Sequence, residues 1–367
     1  MTSMPRNPHI QALRGIAASL VVIDHTLDVI SKHGLLPQWL GQGVHYSIGG
    51  LGVSIFFVIS GFIMVNICYG DFGRLSKSLS FAKRRIIRVV PTYWIATFVA
   101  FALYVMLPLS QHPSFLHLVQ SLTFIPYSTD GALDMQPVLG QGWTLNYEMY
   151  FYMIFALALL SPRRIGLPAL FIVFGLIVAG GSYLKPLADR APASTVLSFF
   201  ADPIILLFAL GMAIGVVRQN FKAFYVKHPF QIAVALIVLQ VSLLMIFTVP
   251  PRIGFPMCIW TWIFGSIAVT ACALAAPKIR DNWFEKLAEV VGDASYSMYL
   301  FHVFVVFALA KLLPITVITA VPYMIIALLG SMLFGIVFFN FVERPTALFL
   351  RTFSLVSWRV ATLQERA

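Results

Sequence analysis

Long apolar runs, broken only by short joints carrying Pro, Gly and charge, follow one another along the whole chain. A bilayer's hydrocarbon core is crossed by about 20 mostly apolar helical residues, and ten segments approach that length: 12–31, 47–68, 89–108, 142–160, 167–184, 199–217, 230–249, 257–276, 295–313 and 321–342. The predicted fold class is an all-α integral membrane protein of about ten transmembrane helices. Residues 1–345 are expected to form one transmembrane domain and 346–367 a short basic cytoplasmic tail. The first run reads as a retained span, because Arg14 interrupts it, no A-x-A-like cleavage site follows and further spans come directly after. No 20–50-residue repeat and no match between the two halves is visible, which weakens the reading as an inverted-repeat transporter.

Composition agrees with the pattern. The chain is 59% hydrophobic and 11% charged with a mean hydropathy of +0.87, far from the roughly 25% charged content of soluble domains. Placing the N-terminus in the cytoplasm puts Arg74, Lys77, Lys83, Arg84, Arg85, Arg88, Arg163, Arg164, Arg218, Lys222, Lys227, Lys278, Arg280, Lys286, Arg344, Arg351, Arg359 and Arg366 inside. Few cations, Lys32, Lys185, Arg190, Arg252 and Lys311, then fall outside. Both termini are therefore expected in the cytoplasm. The net charge of +11 reflects topology and affinity for the lipid bilayer's anionic headgroups, and no nucleic-acid partner is expected. Cys68, Cys258 and Cys272 form no CxxC or Cys/His cluster and read as small apolar packing residues, so no metal site is expected.

Polar groups inside the spans carry the chemistry. "RGIAASLVVIDH", residues 14–25, places Arg14 and His25 eleven positions apart, which on an α-helix is three turns plus roughly 20° and a rise of about 16 Å. The two side chains share a face. A charge at membrane depth costs at least about 2.5 kcal/mol, so such a pair marks a functional site. Asp24 diverges from His25 by about 100° and is expected to bond another span or outer water.

In "KRRIIRVVPTY", residues 83–93, Arg84 and Arg88 stand at i,i+4 and Arg85 and Arg88 at i,i+3. A helix would gather the three guanidiniums near one face, suited to bidentate phosphate recognition. The competing reading is an anchor on lipid headgroups. In "QGWTLNYEMYFY", 141–152, the aromatics could form an interfacial belt, but Glu148 does not fit one. With Gly142 at the outer surface, Glu148 lies about 9 Å deep, the same depth as His25 counted from the outer end of its span. A carboxylate at that level could fix the tautomer of His25 and support it as a base; alternatively it is structural, satisfied by hydroxyls.

"GDASYSMYLFH", 292–302, reads as a helix start with Asp293 or Ser295 as N-cap. Entering from the cytoplasm, it would put His302 about 10 Å from the inner side, off the level of His25. His302 is thus expected on the donor's route rather than at the reacting centre, or as a packing histidine. In "FFVISGFIM", 56–64, Ser60 and Gly61 suit close helix approach and lack the GxSxG frame of a nucleophile elbow. The connection 109–141 holds His112, His117, Asp130 and Asp134 but no Lys or Arg, and is expected to be an external lid.

Arg14 with His25, "FFVISGF", "RRIIRVVPTY", "GWTLNYEMYFY", "SYSMYLFH" and the terminal "VERP" at 342–345 occur in this order along nearly the whole chain. Together they resemble the membrane acyltransferase-3 family, within it most of all bacterial exopolysaccharide O-acyltransferases. The resemblance implies transfer of an acyl group, commonly acetyl, from cytoplasmic acyl-CoA to a hydroxyl of an exported or envelope carbohydrate. It also implies a multi-pass protein of the bacterial inner membrane, possible contact with polysaccharide export machinery, and no permanently bound cofactor. Arg14 and His25 match the family's essential pair; with Glu148, set beside His25 by its depth and not by the family match, they are the expected catalytic residues. Arg84, Arg85, Arg88 and His302 are the expected acyl-CoA-binding residues. A proton-coupled secondary transporter using His25, Glu148 and Arg14 as a relay is the alternative.

Overall fold

In the computed structural model, residues 7–36, 44–107, 112–126, 136–188, 192–221, 228–246, 255–275 and 283–352 are described, and among them there is no strand. Asp130, Asp134, Arg190, Lys222, Lys227, Arg252, Lys278, Arg280, residues 353–367 and the side chains of Lys185 and Cys258 lie outside that description. Helices α1 (Pro8–Lys32), α2 (Val44–Cys68), α3 (Leu75–Met106), α4 (Phe115–Leu122), α5 (Trp143–Ala158) and α6 (Arg163–Ala188) come first. They are followed by α7 (Pro192–Phe200), α8 (Leu206–Asn220), α9 (Pro229–Ile246), α10 (Phe255–Leu274), α11 (Trp283–Asp293), α12 (Ser295–Leu312) and α13 (Ala320–Phe338). Six helical stretches are long and apolar enough to cross a membrane: Ser47–Cys68, Leu75–Met106, Arg163–Gly181, Val196–Asn220, Ser295–Leu312 and Ala320–Thr352. Exposed Trp94, Phe98, Leu329, Leu333 and Phe341 clothe several of them in the apolar surface that lipid requires. The chain is a multi-pass, all-α membrane protein.

In its described part, each of the ten apolar segments falls on helix, with two departures. The segment 199–217 is interrupted at Asp202–Pro203, where a turn of 3₁₀-helix, Pro203–Ile205, separates α7 from α8; proline removes a backbone donor and holds the residue before it out of the α region. The cationic stretch before residue 89 is no joint. It belongs to α3, which runs unbroken from Leu75 through Pro91 to Met106.

The fold consists of two compact units. The first combines Met1–Gly70 with Pro203–Ile336, the second Asp71–Asp202 with Val337–Ala367. In the first unit α1 packs on α2, α11 and α12, and α2 also packs on α8 and α10. Asn7 caps α1 by accepting from the backbone N–H groups of His9 and Ile10, with Pro8 in the first turn, both favoured helix-start chemistries. The Asn7 amide also donates to the Cys272 carbonyl at 2.9 Å, tying the start of α1 to the end of α10. Small residues set the packing distances. A Cβ at Gly61 would stand 2.1 Å from the Phe208 carbonyl oxygen and one at Gly211 2.0 Å from that of Val58. The "SGF" stretch of α2 is therefore a place of backbone contact with α8, as small residues in membrane helices allow.

In the second unit α3 packs on α4, α5 and the π-turn Phe339–Glu343, α5 on α6, and α6 on α7. The π-turn continues α13 and carries the first residues of "VERP". It loosens the helix ahead of Pro345, whose ring would otherwise meet the carbonyl four residues back.

The segment expected as an external lid is, in its described part, docked along α3. Tyr93 donates to the Ser121 carbonyl at 3.1 Å and Trp94 to that of Leu122 at 2.9 Å. Both anchors sit well short of the end of α3 at Met106, so α4 runs beside the helix instead of covering its mouth. The Ser121 hydroxyl bonds the Val138 N–H, and the His117 ring bonds the Gln136 carbonyl. These contacts bring the chain into α5 with Gly142 against the Tyr93 ring, where a Cβ would lie 2.9 Å from a ring carbon.

Candidate active site

In the first unit, α1 presents Arg14 and His25, both half-buried, on one continuous helix. The Arg14 guanidinium donates to the Gln11 side-chain oxygen at 3.2 Å. Asp24 is buried and turned to α2, where a Cβ on Gly49 would come within 2.5 Å of its carboxylate. This is the direction expected for a side chain that diverges from His25.

The expectation that His302 lies off the level of His25 is overturned. Its ring lies beside that of His25, with centroids 4.9 Å apart and planes inclined by 30°. The cause is a register set by two glycines. Gly15 of α1 faces Gly292 of α11, a Cβ on Gly15 falling 3.1 Å from the Gly292 nitrogen, and a Cβ on Gly292 would stand 1.8 Å from the Gln11 carbonyl oxygen. His25 and His302 each lie ten residues beyond those glycines. Helix α12 thus starts beside α1 already well along its length, and the two imidazoles reach one level. The cap assignment is corrected too: Asp293 ends α11, Ala294 is the N-cap without a side-chain bond, and Ser295 is the first residue of α12. His302 is buried, its Nδ1 bonded to the Tyr299 carbonyl at 2.7 Å. Tyr299 in turn meets Phe56 of α2 edge-on at 5.8 Å.

In the second unit, Gly142 beside Tyr93 sets a different register. Helices α3 and α5 descend together from that point, so Glu148 comes to the level of Arg88 and Tyr152 to that of Arg85. The Tyr152 hydroxyl donates to the Glu148 carboxylate. The Arg85 guanidinium lies over the rings of Tyr152, at 5.5 Å, and Phe81, at 5.8 Å; guanidinium over an aromatic face is an attractive arrangement. The charges of Glu148, Arg85 and Arg88 all act on Tyr152. Sequence spacing put Glu148 about 9 Å deep; within its unit its neighbours are Tyr152 and the arginines. Glu148 and His25 fall in different units, and their pairing stays an expectation from the sequence.

The three arginines do not act alike. Arg85 and Arg88 are half-buried, whereas Arg84 is exposed and donates to the Ser80 hydroxyl at 2.9 Å. Arg85 Nε has no hydrogen-bond partner among the described residues, nor has either amide atom of Asn146, which is 1% exposed. Sequence reasoning passed over Asn146 and Tyr152. The available signal was the i,i+4 spacing of Glu148 and Tyr152 on a helix.

The acyltransferase domain, the acyltransferase-3 family, matches residues 7–339, nearly the whole described chain. This chain belongs to that family. It is a membrane acyltransferase, which displaces the transporter alternative. It is also 34% identical over 313 residues to the exopolysaccharide production protein ExoZ of Rhizobium meliloti (strain 1021), covering 83% of this chain and 91% of that protein. No solved structure matches. The family match runs through both units, so the histidine pair and the arginine–tyrosine–glutamate cluster both lie within its bounds.

Proposed function

We propose that the protein is an O-acyltransferase of the bacterial inner membrane that moves an acyl group, acetyl in the simplest case, from cytoplasmic acyl-CoA to a hydroxyl of an exported or envelope polysaccharide. The observation that carries this reading is the single helix α1 holding Arg14 and His25 half-buried inside a membrane acyltransferase. The similarity to a protein of exopolysaccharide production supports the acceptor class.

A thioester is already activated, so the enzyme must deprotonate an alcohol, align it and stabilise an oxyanion. His25 takes the hydroxyl proton as the oxygen attacks the thioester carbonyl. The tetrahedral intermediate collapses with cleavage of the C–S bond, and the proton returns from His25 to the departing sulfur. A neutral imidazole suits both halves of this cycle near pH 7. Arg14, about 16 Å along the helix from His25, cannot touch the same carbon and is assigned to an anionic part of the donor. Arg85 and Arg88 are assigned to the donor's phosphates, with Glu148 orienting them through Tyr152. Ten spans with both termini in the cytoplasm complete the proposal, supported by the basic residues of alternate connections.

The test is mass analysis of surface polysaccharide from cells with and without the gene. Loss of O-acyl mass from the polysaccharide is expected when the gene is removed; unchanged acylation of every surface glycan would overturn the assignment.

A further inference from the structure

His302 carries one feature that packing does not account for. It is 1% exposed, and its Nε2 has no hydrogen-bond partner among the described residues. A buried polar atom left unpaired forfeits the hydrogen bond it would make in water, so a chain that keeps one at membrane depth calls for an explanation. The other nitrogen shows which form the ring takes. Nδ1 lies 2.7 Å from the Tyr299 carbonyl oxygen, and a carbonyl only accepts, so Nδ1 carries the hydrogen. In the neutral ring Nε2 is then a bare lone pair, an acceptor held in a fixed orientation by the backbone of α12. The one aromatic ring at 4.9 Å that can turn an N–H towards that lone pair is His25, and at this centroid separation two facing ring nitrogens are within hydrogen-bonding reach.

We propose that His302 is the positioning residue for the catalytic base: its Nε2 accepts a hydrogen bond from His25 when His25 becomes an imidazolium. The proposal rests on His25 being the base. In the step concerned, one His25 nitrogen takes the proton of the acceptor hydroxyl while the other, already bearing hydrogen, donates to His302 Nε2. The O–H bond breaks, an N–H bond forms on His25, and the new C–O bond forms at the thioester carbonyl. When the C–S bond breaks, the proton passes from His25 to sulfur and the contact with His302 relaxes. His302 ends the cycle with the proton count it began with. It fills the place that a carboxylate takes in a Ser-His-Asp triad, fixing the tautomer and stabilising the charged ring, but without adding a buried negative charge. His302 lies in the same unit as His25, on the helix that follows α11, whose Gly292 packs against Gly15 and Gln11 of α1.

The test uses the full chain in membranes, acetyl-CoA as donor and exopolysaccharide from cells lacking the gene as acceptor, with thiol release as the readout. Three variants are compared: His302→Phe, which fills the space without an acceptor; His302→Gln, whose amide oxygen can stand where Nε2 does; and His25→Ala. His302→Phe is expected to lower kcat at least tenfold with the KM for acetyl-CoA within twofold of wild type, and His302→Gln to recover at least a third of the lost rate. A packing role predicts the reverse order, Phe at or above Gln, and that result overturns the proposal. So does a raised KM with unchanged kcat in His302→Phe, which would return His302 to the donor's route. If both His302 variants fail to accumulate in membranes while His302→Asn accumulates and runs at wild-type rate, the proposal is likewise overturned, because the shorter amide cannot reach His25. Normal transfer by His25→Ala would instead remove the base assignment itself.

Discussion

At the residue scale, Arg85 and Arg88 separate from Arg84 in a way that gives the donor assignment a measurable form. Arg85 lies over Tyr152 with Nε unpartnered, while Arg84 is exposed and bonded to Ser80. Charge-assisted contacts are worth about 1.5–3 kcal/mol each before screening. Arg85→Ala combined with Arg88→Ala should therefore weaken binding of acetyl-CoA at least about tenfold while sparing a short acyl thioester that lacks the nucleotide. Arg84→Ala should change either affinity by less than about threefold. Equilibrium binding to protein in detergent measures all of these, and an equal loss for both donors would mean that the arginines serve insertion or lipid contact. Glu148→Gln should slow transfer less than His25→Ala, since Glu148 acts through Tyr152 and the arginines.

At the element scale, the placement of helices rests on a few glycines. Gly211 of α8 and Gly61 of α2 bring the two backbones so close that a Cβ at either would meet a carbonyl oxygen at 2.0 or 2.1 Å. Gly211→Ala should cost about 1–3 kcal/mol, the scale of overpacking, and lower the thermal unfolding midpoint in detergent. Gly175 of α6 has nothing within 4 Å of its would-be Cβ, and Gly175→Ala should leave the midpoint unchanged or raise it, since Ala favours helix. Element existence was legible because apolar length is read locally: in their described parts the expected segments fell on helix, save for the break at Asp202–Pro203, and α1 needed only its Asn7–Pro8 start to be recognised. Register was not legible. Depth counted from the apparent end of its apolar run put His302 off the level of His25, because that level is set by the contact of Gly292 in α11 with Gly15 and Gln11 of α1. The partners of Glu148 were hidden in the same way, because they follow from Gly142 resting against Tyr93 in the middle of α3. Such contacts depend on which backbones can approach, and that is decided between helices, not within one.

At the scale of the whole molecule, two units each carry one polar group of the chemistry: the imidazoles of α1 and α12 in the first, the arginine–tyrosine–glutamate cluster of α3 and α5 in the second. The basic residues of alternate connections predict that a cytoplasmic reporter fused behind Ala367 is active and a periplasmic one silent; the opposite pattern would change the number of spans by one. The family match from residue 7 to 339 makes the chain an acyltransferase, and the central claim is that His25 is its base. The most direct measurement is the O-acyl content of exopolysaccharide from gene-deleted cells supplied with either the wild-type chain or His25→Ala, with membrane insertion of both confirmed. General-base catalysis contributes about 10²–10⁴-fold, so the His25→Ala cells should match the deletion, with acylation restored only by wild type. Acylation at the wild-type level by correctly inserted His25→Ala protein would contradict the account.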